Sequence, residues 1–234
     1  MYEAIVLAGG FGTRLKTVIA DIPKPMALIN NKPFLEYQLN YLKKFGIERV
    51  IFSVGYKHEF IQNYFGNSFN GMEINYAIEN TPLGTGGGIK LAMNLAQFPE
   101  VLVVNGDTLF DVDIVRFEKL YRSAGAKFCL ALRKVEDVSR YGSVEIDADY
   151  QIISFLEKGQ KSGAGLINGG IYIIEKSFFD TIELNEVFSL EKDCLENEVN
   201  NQKIIGIPFD SYFLDIGIPE DFKKAQDEFK YIGY

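Results

Sequence analysis

The first stretch whose residue types could do chemistry is Leu7-Ala8-Gly9-Gly10-Phe11-Gly12-Thr13-Arg14-Leu15. Its glycines leave backbone N–H groups bare and let a ligand come close. Arg14 adds a planar fork of donors that matches phosphate oxygens. Further on, Pro23-Lys24-Pro25 holds a second cation between two rigid residues. A Gly-rich turn alone is only a turn, but a glycine nest with an arginine and a braced lysine suits a polyphosphate. Two carboxylates complete the set. Asp107 follows the apolar run 101–104, and Asp215 follows the apolar-aromatic segment 211–214. An aspartate after a strand is common turn chemistry. Two from different strand ends can converge on one hard cation, and Mg²⁺ is held by one or two carboxylates plus substrate phosphates.

Two better-known phosphate loops do not fit. The P-loop pattern G-x-x-x-x-G-K-[ST] is absent from the sequence. The dinucleotide fingerprint G-x-G-x-x-G starts at Gly10-Phe11-Gly12, but Leu15 stands where its third glycine belongs. The second strand-like run ends in Gly55-Tyr56, with no acid to hold a ribose. An NAD or FAD site is therefore not expected.

These groups need strand ends and helix starts to hold them. Strand-like and helix-like runs alternate, which predicts an α/β fold: a Rossmann-like mixed, mainly parallel sheet flanked by helices. Strands are predicted at 3–8, 49–54, 73–78 and 101–104. Helices are predicted at 34–45, with Leu35, Leu39 and Leu42 on one face, at 59–65, and from the glycine-rich stretch 82–88 to about residue 96. The second half reads as richer in strands, at 126–133, 142–147, 152–157 and 169–175, with helices at 190–198 and 219–229. Such a half could form a small β-rich lobe closing one side of a cleft. Ligands in open α/β sheets bind outside the carboxyl ends of the strands, where Asp107 is expected.

Length and composition narrow the possibilities. A chain of 234 residues, 47% hydrophobic and 24% charged, is long enough to bury a sizeable core, and one domain is the default. The net charge of −8 argues against nucleic acid as a partner, but leaves room for a nucleotide in a locally positive pocket. Cys129 and Cys194 are too far apart to suggest a zinc site or a disulfide framework. No leader-like stretch precedes the first strand and no apolar run reaches membrane-spanning length, so a cytoplasmic protein with no membrane partner is expected. His58 falls at the exposed start of a helix. No internal repeats or linkers divide the chain.

Taken together, L-A-G-G-F-G-T-R-L, P-K-P-M, Asn105-Gly106-Asp107, Glu157-Lys158, Asn168-Gly169-Gly170 and Asp215-Ile216-Gly217-Ile218-Pro219-Glu220-Asp221 resemble the signature of the sugar-1-phosphate nucleotidyltransferases. The resemblance covers nearly the whole chain. Among the branches it is closest to the guanylyltransferases acting on D-glycero-α-D-manno-heptose 1-phosphate. It implies the nucleotide-diphospho-sugar transferase fold in one domain, with residues of about 1–110 binding nucleotide and about 111–234 binding sugar. It implies nucleotide contacts from Leu7, Ala8, Gly9, Gly10, Gly12, Thr13, Arg14, Lys24, Glu79, Gly84, Thr85 and Asp107, and Mg²⁺ on Asp107 and Asp215. By the family's E-K motif, Lys158 contacts the sugar phosphate and Glu157 a sugar hydroxyl. Tyr141, Gly142, Asn168 and Gly169 would complete the sugar pocket; ordinary turns are the other reading of those positions. A homodimer follows from the family's habit of association.

The base is argued from residue chemistry. In the family, the segment corresponding to 79–84 reads the base edge. The Glu79 carboxylate only accepts hydrogen bonds, and guanine presents two adjacent donors where uracil and thymine present one. Bonds to a charged group contribute roughly 1.5–3 kcal/mol each, enough for discrimination of ~10². That favours GTP, with a solvated strand-end glutamate as the other reading. The implied reaction is a single in-line displacement. Arg14 and Lys24 neutralise the triphosphate, Lys158 orients the nucleophile, and the metal on Asp107 and Asp215 bridges the α-phosphate. The alternatives are a covalent nucleotide on His58, mannose or an amino-sugar as substrate, UTP as donor, a non-catalytic sugar-nucleotide sensor and an NTP hydrolase.

Overall fold

A strand covered on both faces must be apolar on both, and β1 (Glu3–Leu7) is: Ala4 and Val6 enter one core and Ile5 the other. A computed structural model describes residues 1–10, 22–156 and 158–233. Gly12, Thr13, Arg14 and Glu157 therefore lie outside the described residues. After β1 come α1 (Phe34–Lys44), β2 (Arg49–Val54), α2 (His58–Phe65), β3 (Met72–Ile78), α3 (Gly84–Met93), β4 (Glu100–Asn105) and β5 (Thr108–Phe110). Then follow α4 (Ile114–Ala124), β6 (Phe128–Val135), β7 (Ser143–Ile146), β8 (Ile152–Leu156), β9 (Gly165–Glu175), β10 (Ile204–Phe209), β11 (Phe213–Asp215) and α5 (Pro219–Glu228).

The main sheet runs β8-β7-β9-β4-β1-β2-β3, with β6 beside β9 and β10 beside β6. Its β4-β1-β2-β3 half is parallel, as the alternation of elements predicts. The long strand β9 is antiparallel to both β4 and β6, making the sheet mixed. Its register breaks between Asn168 and Tyr172. The strand-rich second half thus continues the same sheet. One face is covered by α1, α4 and α5 through Leu35, Leu39, Phe117, Tyr121 and Ala225. The other is covered by α3, through Ile89 and Ala92, and by Phe188, Leu190 and Leu195. Each such Leu or Phe contributes about 1.5–3 kcal/mol by leaving water.

Several predicted boundaries move. Helix α3 stops at Met93 and unwinds through turn bonds, with Asn94 N–H on the Leu91 carbonyl at 3.2 Å. Strand β9 starts at Gly165, before the predicted 169. The predicted helix at 190–198 is a wide π-type turn, Leu190–Leu195, followed by Glu196–Glu198. Helix α4 and strand β10 were not predicted. The signals for α4 are present: Asp113 caps the Arg116 N–H at 2.9 Å, Ile114, Phe117 and Tyr121 are buried, and Gly125 ends the helix at φ +59°. Exposed Val115 and Leu120 blur its apolar stripe.

Candidate active site

A cleft of about 740 Å³ opens at the carboxyl ends of the parallel strands. Its wall includes Leu7, Ala8, Gly9 and Gly10 after β1, Gly84 and Thr85 at the start of α3, and Glu79. It also includes Lys24, Asp107, Asp215, Tyr141, Lys158, Asn168 and Gly169. Sequence positions read separately as phosphate, metal and sugar groups therefore share one space. Gly142 is not part of the wall; it turns the chain at φ +82°, with its N–H on the Val138 carbonyl at 3.1 Å.

Asp107 and Asp215 meet because β5 and β11 form a small antiparallel ribbon that pairs Thr108 with Asp215. The Ile216 N–H donates to the Asp107 carbonyl at 3.0 Å and ties the two loops together. Gly106 lets the Asp107 loop lie against β1. Its N–H meets the Leu7 carbonyl at 2.8 Å, and an added Cβ would stand 2.4 Å from that oxygen. From behind, the Gln38 amide on α1 donates to the carbonyls of Asn105 and Thr108, one on each side of Asp107.

A cation already joins the two carboxylates. The Lys24 ammonium lies 2.6 Å from Asp107 Oδ2 and 3.3 Å from Asp215 Oδ1. Burial alone would lower the Lys24 pKa; the two carboxylates outweigh it and hold the lysine above its ordinary value. Burial pushes Asp215 up, the Asp107 charge adds to that, and Lys24 opposes both. Asp107 and Asp215 keep 37% and 27% of their side-chain surface exposed, so a ligand can reach them. Two converging carboxylates of this kind fit a hard divalent cation completed by phosphate oxygens. They do not make a self-sufficient cage: among the described residues, no group of three or more His, Cys, Asp or Glu is placed to hold a metal.

Glu79 faces the cleft but is not free in it. Its Oε2 accepts the Leu83 N–H at 2.9 Å, closing the 79–83 loop, and its Oε1 receives the Ser53 hydroxyl at 3.4 Å. The carboxylate is pressed between two backbones, since a Cβ at Gly9 or Gly88 would come within 2.9 or 2.8 Å of Oε1. Each carboxylate oxygen retains a lone-pair direction beyond these bonds.

Tyr141 is held by the Arg140 guanidinium, 5.3 Å from its ring centroid, and by the edge of Phe213. Arg140 is anchored in turn on Asp221, in the first turn of α5, at 2.7 Å. Asn168 sits at the register break of β9. Its Oδ1 accepts the Gly170 N–H at 2.9 Å, and its Nδ2 donates to the Tyr172 hydroxyl at 2.7 Å. Lys158 is exposed on the same wall. His58, the first residue of α2, pairs with Gln62 at 2.8 Å and is not on the cleft wall, so nothing places it to accept a nucleotide.

Sequence reasoning missed Ser189, Glu191, Lys192 and Glu196, all on the wall. Ser189 caps the turn, accepting the Lys192 N–H at 3.3 Å, and that much is legible locally. That the turn folds across to the cleft is not.

Residues 3–230 match the family described as "Nucleotidyl transferase". The chain is 50% identical over 229 residues to the D-glycero-alpha-D-manno-heptose 1-phosphate guanylyltransferase of Aneurinibacillus thermoaerophilus, covering 98% of this chain and 99% of that one. It is also 50% identical over 220 residues to the protein of the same name from Campylobacter jejuni, covering 94% and 96%. The crystal structure of HddC from Yersinia pseudotuberculosis complexed with GMP-PN has a TM-score of 0.86 to this fold. It is 40% identical, with 98% of this chain and 100% of that one covered.

Proposed function

Since the chain belongs to the nucleotidyl transferase family, we propose that it transfers GMP from GTP to D-glycero-α-D-manno-heptose 1-phosphate and releases pyrophosphate. The observation that carries the reading is the 50% identity, over 98% of this chain, to an enzyme of that name. The geometry supports it: one cleft holds a glycine-lined strand end, a cation between two carboxylates, and the polar side chains of Tyr141, Lys158 and Asn168.

An oxygen of the sugar 1-phosphate attacks the α-phosphorus as the bond to the departing pyrophosphate breaks. The nucleophile is already an anion, so no general base is required. Catalysis is positioning plus charge stabilisation. Arg14 and Lys24 take the charge of the triphosphate and then of the pyrophosphate. Lys24 meets the nucleotide with its own charge already shared by two carboxylates, so phosphate oxygens exchange one set of anionic partners for another. Lys158 orients the attacking phosphate, Glu157 and Asn168 hold sugar hydroxyls, and Tyr141 walls the pocket. Mg²⁺ held by Asp107 and Asp215 would neutralise the α-phosphate and align attack. Glu79 accepts from guanine with the lone pairs its local bonds leave. The same reading makes the chain one nucleotidyltransferase domain, binding nucleotide through about 1–110 and sugar through about 111–234. It also makes it a cytoplasmic protein that can pair with a second copy and that needs neither nucleic acid nor membrane. No helix among the described residues is long and apolar enough to cross a membrane.

The test is pyrophosphate release with GTP, UTP, dTTP, CTP and ATP, each against heptose, mannose, glucose and N-acetylated sugar 1-phosphates, with and without Mg²⁺. Release confined to GTP and the manno-heptose 1-phosphate is expected. Turnover with UTP, or a preference for mannose 1-phosphate, would overturn the donor or the acceptor assignment respectively.

A further inference from the structure

Glu191 lies 106 positions from Thr85, yet its Oε2 accepts the Thr85 hydroxyl at 3.1 Å and the Ser189 hydroxyl at 3.3 Å. The Thr85 oxygen in turn accepts the Leu190 N–H at 2.9 Å, so its one proton is committed to Glu191. The other oxygen of Glu191 faces the Tyr172 hydroxyl at 3.4 Å. Tyr172 is fully buried, and burial first, then the Glu191 charge, holds its phenol neutral. Its proton therefore stays on the oxygen and points to Glu191, while the same oxygen accepts from Asn168 Nδ2 at 2.7 Å.

The direction of this chain is determined at both ends. The Gly170 N–H can only donate, so it selects Asn168 Oδ1 as acceptor. The Glu191 carboxylate can only accept, so it draws the tyrosine proton away from the asparagine. Without that acceptor, the Tyr172 proton turns back to Asn168 and competes with Gly170 for Oδ1. The amide then loses its single orientation.

We infer that Glu191 is a positioning residue that fixes the Asn168 amide through Tyr172 and the Thr85 hydroxyl directly, tying the sugar side of the cleft to the start of α3 on its nucleotide side. This inference rests on the proposed function. It concerns the acceptor substrate above all: Asn168, at the end of the chain that Glu191 orders, lies on the cleft wall, whereas Thr85 keeps its bond to Leu190 in any case.

Three variants test it: Glu191→Ala, Glu191→Gln and Tyr172→Phe. Each is assayed for kcat, for KM toward GTP and toward D-glycero-α-D-manno-heptose 1-phosphate and α-D-mannose 1-phosphate, and for Tm. Glu191→Ala is expected to raise KM for the sugar phosphate about tenfold, the loss of one oriented hydrogen bond. Tyr172→Phe cuts the chain at its middle link without emptying the core, and is expected to match that rise with the KM for GTP within about twofold. Glu191→Gln retains an acceptor for the tyrosine proton and is expected to restore the sugar KM to within about threefold of wild type. Equal changes in both KM values, no difference between the Ala and Gln variants, or a lowered Tm with unchanged kinetic constants would each overturn the inference. If wild type releases pyrophosphate with neither sugar phosphate, the functional reading falls and this inference falls with it. If wild type turns over and the pattern is absent, the inference falls alone. Should Glu191→Ala fail to fold, the Tyr172→Phe and Glu191→Gln pair decides.

Discussion

Gln38 sits on the buried face of α1 with 3% of its surface exposed, and its Nε2 donates to the carbonyls of Asn105 and Thr108, the second at 2.6 Å. Those carbonyls bracket Gly106-Asp107, so one amide holds the loop that carries a proposed metal ligand. Gln38→Met keeps the length of the side chain and removes both bonds. Each carbonyl left dry costs about 1–3 kcal/mol. Against that, the Gln38 Oε1, which is buried without a partner among the described residues, disappears. Removing one such group returns about 1 kcal/mol, which leaves a net loss of ~3 kcal/mol. In a chain of this size that is a fall in Tm of roughly 6–12 °C, at about 2–4 °C per kcal/mol. Turnover at 25 °C, well below either midpoint, is expected to fall about 10- to 100-fold, because a loop misplaced by about 1 Å misaligns the reacting atoms. Gln38→Glu adds a signature in pH. A carboxyl can donate to these carbonyls only when protonated, so its pKa in the folded protein is raised. The variant is therefore most stable below the unfolded glutamate pKa of about 4.3 and loses stability as pH rises through the folded value. Thermal melts across pH and pyrophosphate release are the assays. An unchanged Tm for Gln38→Met would show that the two bonds carry no stability. A lowered Tm with full turnover would show that they do not position Asp107.

Other expectations follow from the same geometry. Asp107→Asn or Asp215→Asn should cut turnover by at least about 100-fold and raise the Mg²⁺ concentration for half-maximal rate; a rate that stays independent of chelator in wild type would remove the metal from the reading. Glu79→Gln should reduce the preference for GTP over UTP by about 10- to 100-fold. An unaltered preference would leave Glu79 only its local role, as a clasp for Leu83 and Ser53. Both thiols are buried, with Cys194 pushed up to about 12 by burial and Cys129 further still, so neither should react with a disulfide reagent at pH 8 until the chain is unfolded. Prompt labelling of either in the folded protein would contradict the packing.

What the sequence determined by itself is what depends on near neighbours along the chain. The short, β-branched apolar run 101–104, stopped by Asn105-Gly106, reads as a strand buried on both faces, and the spacing of Leu35, Leu39 and Leu42 reads as one helix stripe. Glycines and aspartates placed just past such runs fall at strand ends, which is why the places of Gly9, Asp107 and Asp215 on the cleft wall were legible. Helix α4 was legible too, in its Asp113 cap and Gly125 stop, and was hidden only by two exposed apolar side chains. The tertiary structure decided everything that joins distant positions. Lys24 meets partners 83 and 191 residues away, Gln38 meets Asn105 and Thr108 across 67 and 70, and Glu191 meets Thr85 across 106. A polar side chain has no periodic signature for burial. Whether a glutamine on a helix points to water or pins a loop of the cleft depends on which backbone packs against it. That is settled when the sheet closes, by the cost of leaving either group without its hydrogen bond.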